Sequence, residues 1–139
     1  MAASIQPTVN DLAVQRLLRG AVLRFKDLSP AMREIGEYHL LATDQRWERE
    51  VAPDGTRWRD LRPATVARKR NAGRIVKILQ ETGTARASIN YRADRFSVST
   101  GTPQKYMATH QKDRRFLGYS DDDLGEVKTI LTNYLVKGR

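Results

Sequence analysis

The sequence predicts an α+β domain, on the evidence of three features of its hydrophobic pattern. Two stretches with apolar residues at helical spacing open the chain, two short alternating segments follow its midpoint, and an amphipathic helix closes it. We expect an N-terminal helical hairpin, a small antiparallel β-sheet, a C-terminal amphipathic helix across that sheet, and an extended loop or arm around a tryptophan-containing turn. Residues 1–9 are predicted to form a flexible N-terminal arm, and residues 10–139 a single domain.

The two N-terminal helices are predicted from their start signals as well as from their periodicity. Thr8 or Asn10 is suited to cap the first helix. Ser29 as cap, with Pro30 at the first helical position, starts a second helix that runs to about Glu50. Because the connection between them is short, the two helices should form an antiparallel hairpin.

The small sheet and the last helix are predicted in the second half of the chain. Apolar and polar residues alternate over 88–92 and 96–100, on either side of a turn at 93–95, which is typical of a β-hairpin. Residues 106–111 fit either a short helix or an inner strand. Ser120 precedes an acid-rich helix start whose apolar face should pack on the core.

The segment from residue 47 to residue 79 holds both tryptophans and most of the positive charge. Trp47 and Trp58 flank a Pro-Asp-Gly turn at 53–55, which should bring the two indoles together and pin the segment to the core. Residues 57–74 hold seven bases and one acid, so they carry a net charge of +6 out of the formal +9 of the chain. The basic character is therefore local.

Composition limits the classes of protein and of site. The 139 residues suffice for one domain with a real core. Because cysteine is absent, a disulfide framework, a thiolate zinc site and a cysteine nucleophile are excluded. We expect a soluble protein made in a cytoplasm, with no membrane contact, since no signal segment or membrane-length apolar run is present. A pI near 10.3 suits an anionic partner.

The residues predict no active site, metal or cofactor. His39 lies on the apolar stripe of a helix, where a hydrogen-bonded structural imidazole is the favoured role, and His110 has no carboxylate pattern around it. The acids at 121–123 suit helix capping better than a divalent cation, because acids stabilise the first turn of a helix. Neither Gly73 nor Gly83 belongs to a phosphate-binding fingerprint.

Pro63 or Thr65 is predicted to open a short basic helix, and the basic residues of this helix allow two interpretations. Arg68, Lys69 and Arg70 occupy consecutive positions, so their side chains spread over more than half of the helix circumference. A solvated helix end explains them without any function. The functional alternative is sequence-independent contact with phosphates, for which these three residues and Arg74 are the candidates.

Three motifs follow one another along the chain at a set spacing. They comprise Pro53-Asp54-Gly55 with Trp58, Leu61, Pro63, Thr65 and Lys69; Ile78-Leu79 with Thr82-Gly83 and Ser88-Ile89; and Tyr106, Ala108 and His110-Gln111 with Arg114, Phe116-Leu117-Gly118 and Ser120. Their order and spacing resemble those of the phage virion-morphogenesis, or tail-completion, family over about residues 27–135. The resemblance implies that structural roles belong to Pro53, Gly55, Trp58, Leu61, Thr65, Leu79, Gly83, His110, Phe116, Leu117 and Gly118.

The chain departs from the family pattern at three places. Ala85 stands where leucine is usual, Arg115 replaces the usual proline, and the loop after His-Gln is cut to Lys112-Asp113. These changes affect one loop and its contacts, while the core pattern is kept.

The resemblance implies a non-enzymatic structural protein at the neck or upper tail of a tailed phage. Such a protein terminates the tail and joins it to the head, commonly as a ring, for which a hexamer is expected. Its implied partners are copies of itself, the tail-tube and head-connector proteins, and passing DNA, which Arg68, Lys69, Arg70 and Arg74 would contact without sequence preference. Head assembly and non-specific nucleic-acid binding are the alternatives.

Overall fold

The computed structural model describes residues 11–24, 27–75, 78, 83–104 and 106–137. Within this part of the chain it contains six helices and one two-stranded sheet, so the predicted α+β class is confirmed. In chain order the elements are α1 (Leu12–Arg24), α2 (Ser29–Arg49), α3 (Pro63–Asn71), α4 (Thr84–Ala87), β1 (Asn90–Ala93), β2 (Val98–Gly101), α5 (Met107–Asp113) and α6 (Asp121–Lys137). No helix in the described ranges is long and apolar enough to cross a membrane.

An aspartate caps the first helix. α1 begins at Leu12, and the Asp11 carboxylate accepts the backbone amide of Val14 at 3.0 Å. Asp11 therefore satisfies one of the amides that a helix start leaves without an intrahelical partner. The predicted caps Thr8 and Asn10, like the predicted arm at 1–9, lie outside the described residues.

The predicted cap of the second helix is wrong. Ser29 is itself the first residue of α2 and makes no side-chain capping bond, while the Asp27 carboxylate accepts the Ser29 amide at 2.8 Å. The carboxylate reaches that amide from two residues upstream, so it takes the role expected of the hydroxyl. At its other end α2 stops where predicted, because Glu50 adopts a left-handed conformation with φ of 57°.

The three long helices pack together around one apolar cluster. α1 packs on α6, and α6 packs on α2. The first cluster consists of Val14, Ala21, Leu28, Ala31, Met32, Ile35, Val127, Ile130 and Leu131. At its edges Lys128 pairs with Asp11 at 3.4 Å, and the Tyr134 hydroxyl donates to the Asp27 carbonyl at 2.6 Å.

The hairpin lies against α2. β1 and β2 pair antiparallel, with Ala93 opposite Val98, and both of these residues pack on the first cluster. β1 approaches α2 so closely that a Cβ added to Gly36 would lie 2.3 Å from the Tyr91 ring. The Tyr91 hydroxyl donates to the Glu37 carboxylate at 2.8 Å.

The strands begin later than predicted. The predicted ranges were 88–92 and 96–100, whereas the strands run over Asn90–Ala93 and Val98–Gly101. The cause is the turn: the Asp94 carboxylate accepts the amides of Phe96 and Ser97 at 2.9 and 2.8 Å, which makes a four-residue connection. Phe96 therefore lies exposed in the turn.

A second apolar cluster forms at the C-terminal end of α2. It consists of Trp47, Trp58, Ile78, Met107, Phe116 and Leu117. Residues 106–111, which fitted helix or strand, belong mostly to α5. α4 is held to α2 because Arg86 pairs with Asp44 at 2.7 Å and with Glu48 at 2.9 Å.

Replacing Gly36 with alanine should destabilise the protein by about 1–3 kcal/mol, because the new methyl group would force the Tyr91 ring away from α2. Gly125→Ala is the matched control: nothing lies within 4 Å of an added Cβ there, and removing a helical glycine should stabilise by about 0.5–1 kcal/mol. Urea unfolding of both variants checks the contact. A Gly36 variant as stable as the control variant would contradict it.

Candidate functional site

A short hairpin-like turn connects α2 to residues 57–74, which we call the basic segment. The Ala52 amide donates to the Thr56 carbonyl at 2.8 Å, and the Gly55 amide donates back to the Ala52 carbonyl at 2.9 Å. Gly55 has φ of 90°, which glycine adopts without strain. The Asp54 carboxylate accepts the Thr56 amide at 2.9 Å. The predicted Pro-Asp-Gly turn is therefore present.

As predicted, the turn brings the two indoles together, and they meet edge to face. The ring centroids of Trp47 and Trp58 are 5.5 Å apart, with an interplanar angle of 88°. Phe116 packs on Trp47 at 5.1 Å between ring centroids. Trp58 is only 4% exposed, and its indole nitrogen donates to the Arg115 carbonyl at 2.8 Å. These contacts fix the start of the basic segment to the segment that follows α5.

Gln111 holds that following segment from the other side. Its side-chain oxygen accepts the amides of Phe116 and Leu117, each at 3.1 Å, and its side-chain nitrogen donates to the Leu117 carbonyl at 2.9 Å. Next along the chain, Gly118 lies against Pro53, whose Cγ would be 2.9 Å from an added Cβ. Glycine is needed there for space.

Some residues of the family motifs belong to the second cluster, and others lie at its edge or away from it. Phe116 and Leu117 are buried in it, Leu61 packs at its edge, and Gly83 precedes α4 with φ of 84°. The others lie further out: Thr65 is half-buried on α3, and the His110 ring meets Tyr106 edge-on at 6.5 Å. Leu79 lies outside the described residues.

The basic segment presents all six of its arginines to solvent. They are Arg57, Arg59, Arg62, Arg68, Arg70 and Arg74. Lys69 is different, since it is only 5% exposed, and this corrects the expectation that four cations face outward. The reason is the helical period: Lys69 follows Thr65 by one turn on the inner side of α3, while its two neighbours point away from that side.

Arg114 fixes the backbone of the basic segment ahead of α3. Its guanidinium donates to the Arg59 carbonyl at 2.8 Å and to the Asp60 carbonyl at 3.3 Å. The backbone at the start of the basic segment is thus fixed at residues 58–60, by Trp58 and by Arg114.

A buried ion pair lies between the two apolar clusters. Arg46 of α2 binds the Asp123 carboxylate in the first turn of α6, and the residues are 7% and 1% exposed. Ser120 and Asp123 cap each other, each amide donating to the other side chain at 3.0 Å. Burial alone would raise the pKa of Asp123, but hydrogen bonds from Arg46, Ser120 and Tyr38 outweigh it and lower that pKa. Asp123 is thus a capping and pairing group, as the helix-cap interpretation predicted.

His39 extends this polar layer to the hairpin. Its Nε2 lies 2.7 Å from the Gly118 carbonyl and its Nδ1 lies 2.8 Å from the Thr100 hydroxyl. A carbonyl only accepts, so Nε2 carries the proton and Nδ1 accepts from the hydroxyl. Burial is the main reason that the pKa of His39 is lowered, which keeps the ring neutral. The predicted structural role of His39 is confirmed.

An open cleft of about 690 Å³ lies beside the ion pair, between the tryptophan turn and the start of α6. Its rim has cations on Arg49 and Arg115 and carboxylates on Asp54, Asp121 and Asp122. Across the described ranges, no group of three or more histidine, aspartate or glutamate side chains is arranged to hold a metal ion. The cleft therefore offers polar contacts of both signs.

The sequence profile of the phage virion morphogenesis family matches residues 9–113. The chain belongs to this family. The match covers the tryptophan turn, the basic segment, the hairpin and α5, and it ends before Phe116. Membership gives the chain a structural role in phage virion morphogenesis. Neither curated proteins nor solved structures gave a significant match.

The sequence alone does not predict the residues that fix the backbone around the second cluster and the basic segment. Gln111 and Arg114 are identified in the sequence only as members of the third family motif, and no role is predicted for Arg46. The contacts of Arg46 and Arg114 join parts of the chain that are more than 50 residues apart, such as Arg46 with Gly118, whereas Gln111 binds residues five and six positions along the chain. Only the spacing of Arg46 from His39, two helical turns along one face, was a signal in the sequence.

Trp58→Ala should destabilise the protein by about 3–5 kcal/mol, because it removes a buried ring from the second cluster. Trp58→Phe should cost less, since it keeps most of the ring and leaves only the Arg115 carbonyl without its donor. Phe96→Ala, in the exposed hairpin turn, is the control and should change stability by less than about 0.5 kcal/mol. Denaturant unfolding orders the three variants; equal losses for Trp58→Ala and Phe96→Ala would contradict the burial.

Proposed function

We propose that this protein completes the phage tail and joins it to the head at the neck or upper tail. It acts as a ring, which we expect to be hexameric, around the path of the DNA. Its partners are copies of itself, the tail-tube protein and the head-connector protein. Membership of the phage virion morphogenesis family supports the structural role on which the proposal builds.

The observation that carries the proposal is the exposed basic surface on a fixed backbone. Arg68, Arg70 and Arg74 are solvent-exposed, and the indole of Trp58 and the guanidinium of Arg114 hold the chain ahead of them. Contact with phosphates needs positive charge at the surface and no base-edge geometry. We infer that these arginines face the DNA path.

A conduit requires weak contact from each subunit. Three arginines neutralise few phosphates, so one subunit alone should bind duplex DNA weakly and with a shallow dependence on salt. A ring multiplies the contacts without binding any one stretch of DNA tightly. A dedicated nucleic-acid-binding protein would instead bind tightly as a single chain.

Phage particles made without this protein distinguish tail completion from head assembly. We expect filled heads and unjoined tails to accumulate, and electron microscopy should show tails with an unfinished upper end. Supplying the protein should restore joined particles. Failure to form heads would instead support the head-assembly alternative.

Replacing Arg68, Arg70 and Arg74 with glutamine should leave folding intact, because all three are exposed, while weakening DNA binding and DNA retention in assembled particles. The wild-type monomer should bind duplex DNA no tighter than about micromolar at physiological salt. A salt titration of duplex binding is the measurement.

The matched control removes the same charge elsewhere, at the exposed Arg33, Arg92 and Arg95. It should retain DNA in particles. Equal loss in both triple variants would mean that only net charge matters. Nanomolar binding of one DNA sequence by the wild-type monomer would contradict a conduit and favour a sequence-specific DNA-binding protein.

A further inference from the structure

The outer face of α1 has an apolar and basic stripe. Leu12, Arg16, Arg19 and Leu23 follow one another at four-, three- and four-residue spacing, so they align on one side of the helix. Leu12 is 68% exposed and Leu23 is 88% exposed. The opposite side of α1, with Val14, is the one that packs on the first cluster. We call these four residues the α1 stripe.

The outer face of α2 has a stripe of matching spacing and opposite charge. Glu34, Glu37 and Leu41 are exposed there, and Leu41 is exposed by 59%. Their spacing of three and then four residues equals that of Arg16, Arg19 and Leu23 in the α1 stripe. We call Glu34, Glu37 and Leu41 the α2 stripe.

The charges of both stripes are available for a partner. Arg16, Arg19 and Glu34 make no ion pair with any residue in the described part of the chain. Glu37 accepts the Tyr91 hydroxyl with one oxygen and remains exposed. The acids further along α2, Asp44 and Glu48, are already paired with Arg86, so the available acids lie on the N-terminal side of Leu41.

The two stripes do not meet within one chain. α6 contacts α1 through Lys128, which pairs with Asp11, and contacts α2 through Asp123, which binds Arg46. Residues 123 and 128 lie about 140° apart around a helix, so α1 and α2 approach α6 from different sides. The α1 stripe lies on the side of its helix opposite Val14, and the α2 stripe borders Tyr38, which donates to Asp123 of α6. A partner for either stripe then comes from another molecule.

We propose that the α1 stripe of one copy packs in parallel on the α2 stripe of a second copy. Arg16 then meets Glu34, Arg19 meets Glu37, and Leu23 meets Leu41, since the spacing is equal along both helices. The contact joins different surfaces of the two copies, so it repeats from copy to copy and closes into a ring where the rotation allows. The inference rests on the proposed function, for which it names the subunit contact.

The acids of α6 fit the α1 stripe less well. Asp122 and Glu126 are exposed, but their neighbours on that face are Gly125 and Thr129 rather than a large apolar residue. Leu23 would therefore bury little apolar surface against this face of α6. Among the described residues of α2 and α6, two exposed acids and an exposed leucine lie together on α2, whereas the exposed Val136 of α6 lies ten residues beyond Glu126.

Charge reversal on each stripe tests the contact. Arg16→Glu with Arg19→Glu should lower the self-association constant by about tenfold or more, because like charges then face each other. Glu34→Arg with Glu37→Arg should do the same. A mixture of the two double variants should associate again, since each contact in it pairs opposite charges. Sedimentation velocity of the full chain is the readout, with thermal melting to verify folding.

The matched control reverses charge on α6, with Asp122→Arg and Glu126→Arg, and should associate like wild type. The proposal is overturned if association survives both stripe variants or if the mixture stays monomeric. It is also overturned if wild type is monomeric, or if Arg16→Glu with Arg19→Glu abolishes only duplex binding. None of these outcomes decides tail completion, because the particle experiment tests that function separately.

Discussion

The ion pair between Arg46 and Asp123 is the contact on which the relative placement of the two apolar clusters depends. It is buried, and two charges in a protein interior are tolerated only when each is paired and hydrogen-bonded. Arg46 meets this requirement by also donating to Gly118 and Ser120, and Asp123 by accepting from Tyr38. The pair thereby joins the end of α2, the start of α6 and the segment between α5 and α6.

This arrangement explains how a small domain can present a basic surface in a defined place. The second cluster lies where α2 ends, and Trp58 ties the basic segment to the backbone of Arg115, which precedes Phe116 of that cluster. Arg114 then fixes the carbonyls ahead of α3. In the ring that we propose, such rigidity would let the charges of all subunits act together, because each subunit would hold its arginines at the same position. Family membership and the basic surface therefore both support the proposed structural role beside the DNA path.

The elements could be predicted from local patterns, while the contacts between them could not. Helical periodicity and the turn signal at Gly55 predicted α1, α2, α6 and the tryptophan turn, since these depend on nearby residues. The hairpin was placed too early because the carboxylate of Asp94 sets the turn length. The burial of Lys69 depends on which side of α3 meets the protein, and the contacts of Arg46 and Arg114 join distant parts of the chain that come together only on folding.

The most direct test of the role of this ion pair is a double-mutant cycle, with Arg46→Met, Asp123→Leu and both changes together. Each single change leaves a buried charge without its partner and should cost about 3–5 kcal/mol of unfolding free energy. The double variant should cost clearly less than the sum, by about 2 kcal/mol or more, because neither unpaired charge remains. Losses that simply add would show that Arg46 and Asp123 act independently, and would contradict the role of the pair in joining the two clusters.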